Sequence, residues 1–142
     1  MSYLLDTCAI SEMVAAKPDQ SVLEWFEHQP ESTLYLSVVT WGEIQKGIYQ
    51  LAAGKRKVQL ETWFFDDLFP TFQGRIINID ERLITTWAKM LASFKNKGIV
   101  RPSFDSLIEA TALQHNMILV TRNERNFRDS DVSIFNPWSE SI

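Results

Sequence analysis

Residues 102–123 read Pro-Ser-Phe-Asp-Ser-Leu-Ile-Glu-Ala-Thr-Ala-Leu-Gln-His-Asn-Met-Ile-Leu-Val-Thr-Arg-Asn. This one stretch holds a helix, its stop, a strand and the loop beyond. Pro102 and Ser103 open the helix, which runs through His115, and Asn116 stands where a left-handed C-cap belongs. Met117 to Val120 then form a strand that ends in Thr121-Arg122-Asn123. A helix that feeds straight into a short apolar strand is half of a βαβ unit, so the rest of the chain is read for the other halves.

Upstream, residues 2–5 are short and apolar and end at Asp6, which suits a first strand. Pro18 and Asp19 open a helix over 21–29 with Val22, Leu23, Trp25 and Phe26 as apolar positions. Leu34 to Val39 forms a second strand. Thr40 and Glu43 then stand at capping-box spacing before a helix carrying Ile44, Ile48, Leu51 and Ala52, which stops near Gly54. Another helix spans 57–69 and ends before Pro70; Ile76, Ile77 and Ile79 make a third strand. Asp80 caps a long helix over 81–97 that stops at Gly98, and a last short strand lies at 132–135, before Pro137-Trp138. Strands that alternate with helices imply right-handed crossovers and a mostly parallel sheet covered on both faces. No repeat, low-complexity tract or linker divides the chain, so a single domain over 1–142 is expected.

Composition agrees. The chain has 142 residues, enough for one core, with 45% hydrophobic and 23% charged residues, the balance of a globular protein. A net charge of −4 argues against a passive nucleic-acid coat, which needs a broad basic face. Cys8 is the only cysteine, so no intrachain disulfide forms, and a reducing compartment is the natural setting. Met1 to Asp6 lacks the basic leader and apolar run of a secretory signal, and no apolar run reaches membrane-spanning length. A cytoplasmic location is expected.

In such sheets ligands gather beyond the carboxyl ends of the strands. Asp6 ends the first strand, Glu43 follows the second, Asp105 lies in the first turn of the helix that feeds the fourth, and Asn123 stands just past that strand. If the strand order joins these ends, three carboxylates and one amide meet in a cleft. Acids without matching cations repel one another, so a positive charge belongs among them. All-oxygen ligands select Mg²⁺, or Mn²⁺. Zinc is not indicated, because His28, His115 and Cys8 show no ligand spacing. The chemistry that suits such a site is phosphodiester hydrolysis.

Each residue has a plainer reading. Asp6 and Asn123 can simply make turns. Glu43 can belong to a capping box, and Asp105 can answer the helix dipole. Glu109, one turn after Asp105, reads as a solvated helix residue, and Lys55-Arg56-Lys57 as a solvated helix start. Trp63, Phe64, Phe65, Phe69 and Phe72 are too numerous for one core face, which points some of them toward a protein interface.

The local strings carry more than any single acid. Leu4-Leu5-Asp6-Thr7 with Ile10-Ser11-Glu12, then Ser37-Val38-Val39-Thr40-Trp41-Gly42-Glu43-Ile44, Asp105-Ser106-Leu107-Ile108-Glu109-Ala110, Leu119-Val120-Thr121-Arg122-Asn123 and the closing Asn136-Pro137-Trp138 closely resemble the PIN-domain family, and within it the VapC-like, FitB-type toxins. The likeness spans nearly the whole chain in order. It implies a three-layer α/β/α sandwich, Mg²⁺-dependent cleavage of RNA, often tRNA, and inhibition by a cognate antitoxin whose tail covers the acidic cleft. By matched position it implies Asp6 and Asp105 as metal ligands, Glu43 as a third acid that binds metal or orients water, and Asn123 as the fourth site residue. Together with the aromatic stretch it suggests a homodimer. Lys95, Lys97, Arg101, Arg122, Arg125 and Arg128 flank the segments with Asp105 and Asn123 and are expected to form a basic rim for RNA. Two positions depart from the pattern: Cys8 replaces the usual Asn, at the expense of one hydrogen bond, and Asn126 replaces a common Asp.

Other functions fit less well. A phosphoacceptor receiver domain needs adjacent acids after the first strand, and Asp6 has no acidic neighbour. An aspartyl-phosphate phosphatase needs Asp-x-Asp, and position 8 is Cys. A degenerate PIN domain that only binds would not need all three acids.

Overall fold

The computed structural model describes residues 1–138. Its strands β1 (Tyr3–Leu5), β2 (Leu34–Ser37), β3 (Ile76–Ile77), β4 (Ile118–Val120) and β5 (Ile134–Phe135) form one sheet in the order β3-β2-β1-β4-β5, parallel throughout. Helices α1 (Thr7–Glu12), α2 (Gln20–His28), α3 (Val38–Tyr49), α4 (Lys55–Trp63), α5 (Phe69–Phe72), α6 (Glu81–Asn96) and α7 (Ser103–His115) connect them. From β1 the chain steps outward to β2 and β3, then crosses back to lay β4 on the other side of β1. The carboxyl ends of β1 and β4 therefore flank the switch point, where crossovers diverge and leave a crevice.

Side-chain alternation along the strands builds the three layers. Leu5, Leu36 and Val120 pack on one side with Ile10, Val22, Ile44, Phe64 and Trp138. Leu4 and Leu119, opposite each other in register, pack on the other with Ile108 and Ala112 of α7. Helix α6 covers α7 through Leu83, Met90, Phe94 and Ala110. Among the described residues no helix is long and apolar enough to cross a membrane.

Several expected boundaries move. The second strand stops at Ser37, whose hydroxyl accepts the Val39 N–H and caps α3. Thr40 is therefore buried inside α3 and caps nothing, so the capping-box reading of Glu43 fails. Helix α1 was not expected at all; Asp6 caps it, accepting from Thr7 N at 2.7 Å. The helix over 57–69 does not end before Pro70. It passes through a π-turn, Phe64–Leu68, and α5 starts afresh with Pro70 in its first turn, where a missing N–H is harmless. Ile79 leaves the sheet to pack with α6 and α7, which shortens β3. Asn116 does adopt the left-handed C-cap (φ 53°, ψ 50°), and Asp80 does cap α6, accepting from Leu83 N.

Candidate active site

Asp6 is buried at the end of β1, and its own N–H donates to Val120 O of β4 at 3.0 Å. Its Oδ1 is held by the Thr7 N–H, and its Oδ2 accepts from Thr121 Oγ1 at 2.8 Å. Thr7 follows β1 and Thr121 follows β4, so the parallel register itself delivers the second hydroxyl to Asp6. Thr7 turns its own hydroxyl to Glu43, donating to Oε1 at 2.8 Å. Asp6 and Glu43 are thus linked through one residue, although 37 positions separate them in the chain.

Asp105 lies half-buried in the first turn of α7. Burial pushes its carboxyl above the usual range, and the charges of Asp6, Glu43 and Glu109 push it the same way, while Arg101 opposes them. The Asp6 and Glu43 charges thus reach Asp105, which stands within electrostatic range of both. Among the described residues, no three His, Cys, Asp or Glu side chains are grouped tightly enough to form a ready metal cage. Charge repulsion keeps like acids apart, and a divalent cation reverses the sign of that force. The donors are oxygens throughout, so their chemistry fits Mg²⁺ or Mn²⁺. Asn123 begins the 3₁₀ turn Glu124–Phe127, with its N–H on Thr121 Oγ1 at 3.1 Å and its side chain exposed. Asn126 closes that turn through its N–H on Asn123 O.

Cys8, a departure from the family pattern, lies against Asp6 and the loop after β4. Its Sγ stands 3.6 Å from Asp6 Oδ2 and 3.7 Å from Thr121 Oγ1, and it accepts the Arg122 N–H at 3.5 Å. Burial, then the Asp6 charge, pushes the thiol up to about 11, so it stays protonated at neutral pH and donates to Asp6. The thiol thus gives Asp6 a long sulfur hydrogen bond at this position.

Two further expectations fail together. Glu109 is not solvated: it is wholly buried, and Arg101 grips both its oxygens, Nε to Oε1 at 2.9 Å and Nη2 to Oε2 at 3.3 Å. The Arg101 side chain is only 4% exposed, so it cannot serve on a basic rim. Lys95, Lys97, Arg122, Arg125 and Arg128 are exposed, as a rim requires. The roles of Thr7 and Thr121 were not read from the sequence; the available signal was a threonine next to Asp6 after β1 and another directly after β4.

Of the aromatic stretch, Phe64 and Phe72 are core, while Phe65 and Phe69 remain exposed. Trp41 joins Phe69 (5.4 Å) to Phe64 (4.2 Å) by ring contacts, and Phe65 meets Phe64 edge-on at 5.0 Å.

The family model described as PIN domain matches residues 3–132. The VapC ribonuclease Y4jK of Sinorhizobium fredii is 35% identical, over 95% of this chain and 96% of its own. Toxin FitB of Neisseria gonorrhoeae is 34% identical, over 96% of this chain and 99% of its own. A solved structure described as FitAB bound to an IR36 DNA fragment superposes with a TM-score of 0.91 at 35% identity, covering 96% of this chain and 95% of that one. The strand-end acids, the sheet order and these similarities agree: the chain belongs to the PIN-domain family.

Proposed function

We propose that this chain is a cytoplasmic endoribonuclease toxin, one catalytic domain over 1–142, that hydrolyses RNA with Mg²⁺ or Mn²⁺ and is silenced by a cognate antitoxin. The observation that carries this reading is the hydrogen-bonded run Thr121–Asp6–Thr7–Glu43 at the carboxyl ends of β1 and β4, with Asp105 near enough for the Asp6 and Glu43 charges to raise its carboxyl. Similarity to a VapC ribonuclease and to toxin FitB supports the same activity class. Asp6, Asp105 and Glu43 would hold the metal, and Asn123 would face the substrate beside them. The cation, when bound, activates water and offsets charge on the phosphodiester. The chain's own contribution is orientation: Thr121 and Thr7 fix Asp6, Thr7 fixes Glu43, and the Cys8 thiol adds a donor to Asp6. Exposed Lys95, Lys97, Arg122, Arg125 and Arg128 would take the flanking phosphates of an RNA such as tRNA. Cleavage of a total tRNA pool is expected with Mg²⁺ and not with excess EDTA; full activity in EDTA would refute the metal assignment.

A groove of about 380 Å³ opens beside Glu43, lined by Val14, Ile44, Leu51, Leu60 and Trp63 together with Thr7, Glu43 and Arg56. Its apolar lining suits an antitoxin tail that inserts apolar side chains and presents a basic one to Glu43, with Arg56 held on Val14 O rather than on that carboxylate. The FitAB structure, in which a similar chain is captured in an assembly on DNA, supports such a partner. Exposed Phe65 and Phe69, with Tyr49 and Val58 also exposed, support a homodimer. Sedimentation equilibrium at roughly 10–50 µM, where a standard-size interface should hold, is expected to return a dimer. Phe65→Ser with Phe69→Ser should shift it to monomer; a wild-type monomer would end this part of the reading.

A further inference from the structure

The buried pair Arg101–Glu109 has no role in the chemistry derived so far, and its placement is specific. Glu109 lies one turn after Asp105 on the same face of α7, and both its oxygens are occupied by Arg101. The same guanidinium donates to Arg128 O at 2.6 Å, in the loop that follows Asn123, and lies 4.6 Å over the Phe94 ring of α6. One side chain therefore ties together α6, α7 and the loop after β4. These are the segments that set Asp105 and Asn123 relative to Asp6. An ion pair withdrawn from water this completely contributes little net stability compared with an apolar pair of the same volume.

We infer that Arg101 and Glu109 are a positioning pair for the acid site: the guanidinium fork docks the Asp105 turn of α7 onto the loop after β4, and it keeps the Glu109 carboxylate engaged so that it does not join the metal ligands. This rests on the metal-site reading above. Neither residue touches metal or RNA; they act through Asp105. Replacing the pair with apolar side chains of similar size, Arg101→Met with Glu109→Leu, removes the fork without leaving a buried charge. Arg101→Lys keeps the charge and loses the fork.

The test measures Mn²⁺ binding to the full chain by calorimetry without RNA, beside melting temperature, kcat and KM, with Asp105→Asn as reference. Outer partners of metal ligands typically change metal affinity by about 10- to 100-fold, so the folded double variant is expected to bind Mn²⁺ at least about tenfold more weakly. Its kcat should fall by a similar factor, with KM within about twofold of wild type. If the double variant does not fold, Arg101→Lys carries the test, with the same loss of Mn²⁺ affinity expected. Folded variants that bind Mn²⁺ like wild type overturn the inference while Asp105→Asn has lost it. Should Asp105→Asn also bind Mn²⁺ like wild type, it is the metal-site reading that fails.

Discussion

Asp105→Asn is expected to abolish RNA cleavage while leaving the metal-free fold as stable as wild type or more stable. The side-chain shape is conserved, so the experiment reads charge alone. Two opposing terms meet at this position. As the acid in the first turn of α7, Asp105 gains up to about 1 kcal/mol from the helix dipole. Against that stand burial and the charges of Asp6, Glu43 and Glu109, and their sum wins, because the carboxyl is raised rather than lowered. Unit charges about 6 Å apart at an effective dielectric of about 20 repel by roughly 3 kcal/mol, and solvent at a half-buried site leaves a fraction of that. The sign in pH follows. With its folded value above its unfolded one, Asp105 binds its proton more tightly in the native state, so its favourable contribution is complete at low pH. Stability is lost as pH rises from the ordinary carboxylate range through the folded value. The stability gap between mutant and wild type should therefore widen across that window and then level. Mg²⁺ at about 100 times its dissociation constant adds roughly 2.7 kcal/mol to wild type by mass action and should add far less to the mutant. Melting curves across pH with and without Mg²⁺, beside one cleavage assay, read all of this. A mutant that cleaves RNA yet melts earlier would return Asp105 to the role of a dipole residue.

What could be read from the chain followed the range of the forces involved. Asn116 and Asp80 were legible because caps are local: a left-handed turn or a side-chain acceptor acts within a few residues of itself. The β-α alternation was legible for the same reason, and with it the strand ends that carry Asp6 and Asn123. The strand order was not visible in residue patterns, since placing β4 beside β1 is a decision of the whole packing. Local rules also misled where two of them competed. Thr40 and Glu43 have capping-box spacing, but Ser37 captured the helix start three residues earlier. Proline stops most helices, yet the π-turn Phe64–Leu68 reset the ladder so that Pro70 fell in a new first turn. The charged residues were misplaced most. Arg101 and Glu109 each look like surface residues in sequence, and only their mutual neutralisation makes burial affordable. Nothing in the spacing links them, because Arg101 lies outside the helix that carries Glu109.

The same pair sets the largest stability effect expected of any single charged residue here. Glu109→Ala is expected to cost about 3–5 kcal/mol, the usual consequence of stranding the partner of a buried ion pair. For a chain of this length that lowers the melting temperature by roughly 10–20 °C. The reason is in the surroundings: Glu109 is wholly buried, Arg101 is 4% exposed, and the guanidinium is flanked by the Phe94 ring and the Arg128 carbonyl rather than by water. Without the carboxylate, the guanidinium keeps the Arg128 carbonyl as an acceptor but has lost its counter-charge. Glu109→Gln keeps an acceptor of nearly the same shape and should lose less. Arg101→Met with Glu109→Leu should recover most of the loss, since neither charge is then left behind. The cycle formed by the two single changes and the double is therefore strongly non-additive, with the summed singles exceeding the double by more than about 1 kcal/mol. Urea denaturation at neutral pH measures each corner. Exposed ion pairs contribute about 0–1 kcal/mol, so single variants that each cost less than that would mean the pair is solvated. Arg101 would then regain its place among the residues available to RNA. A large loss instead means that weakened RNA binding in an Arg101 variant reports on folding, and that phosphate contacts must be sought at Arg122, Arg125 and Arg128.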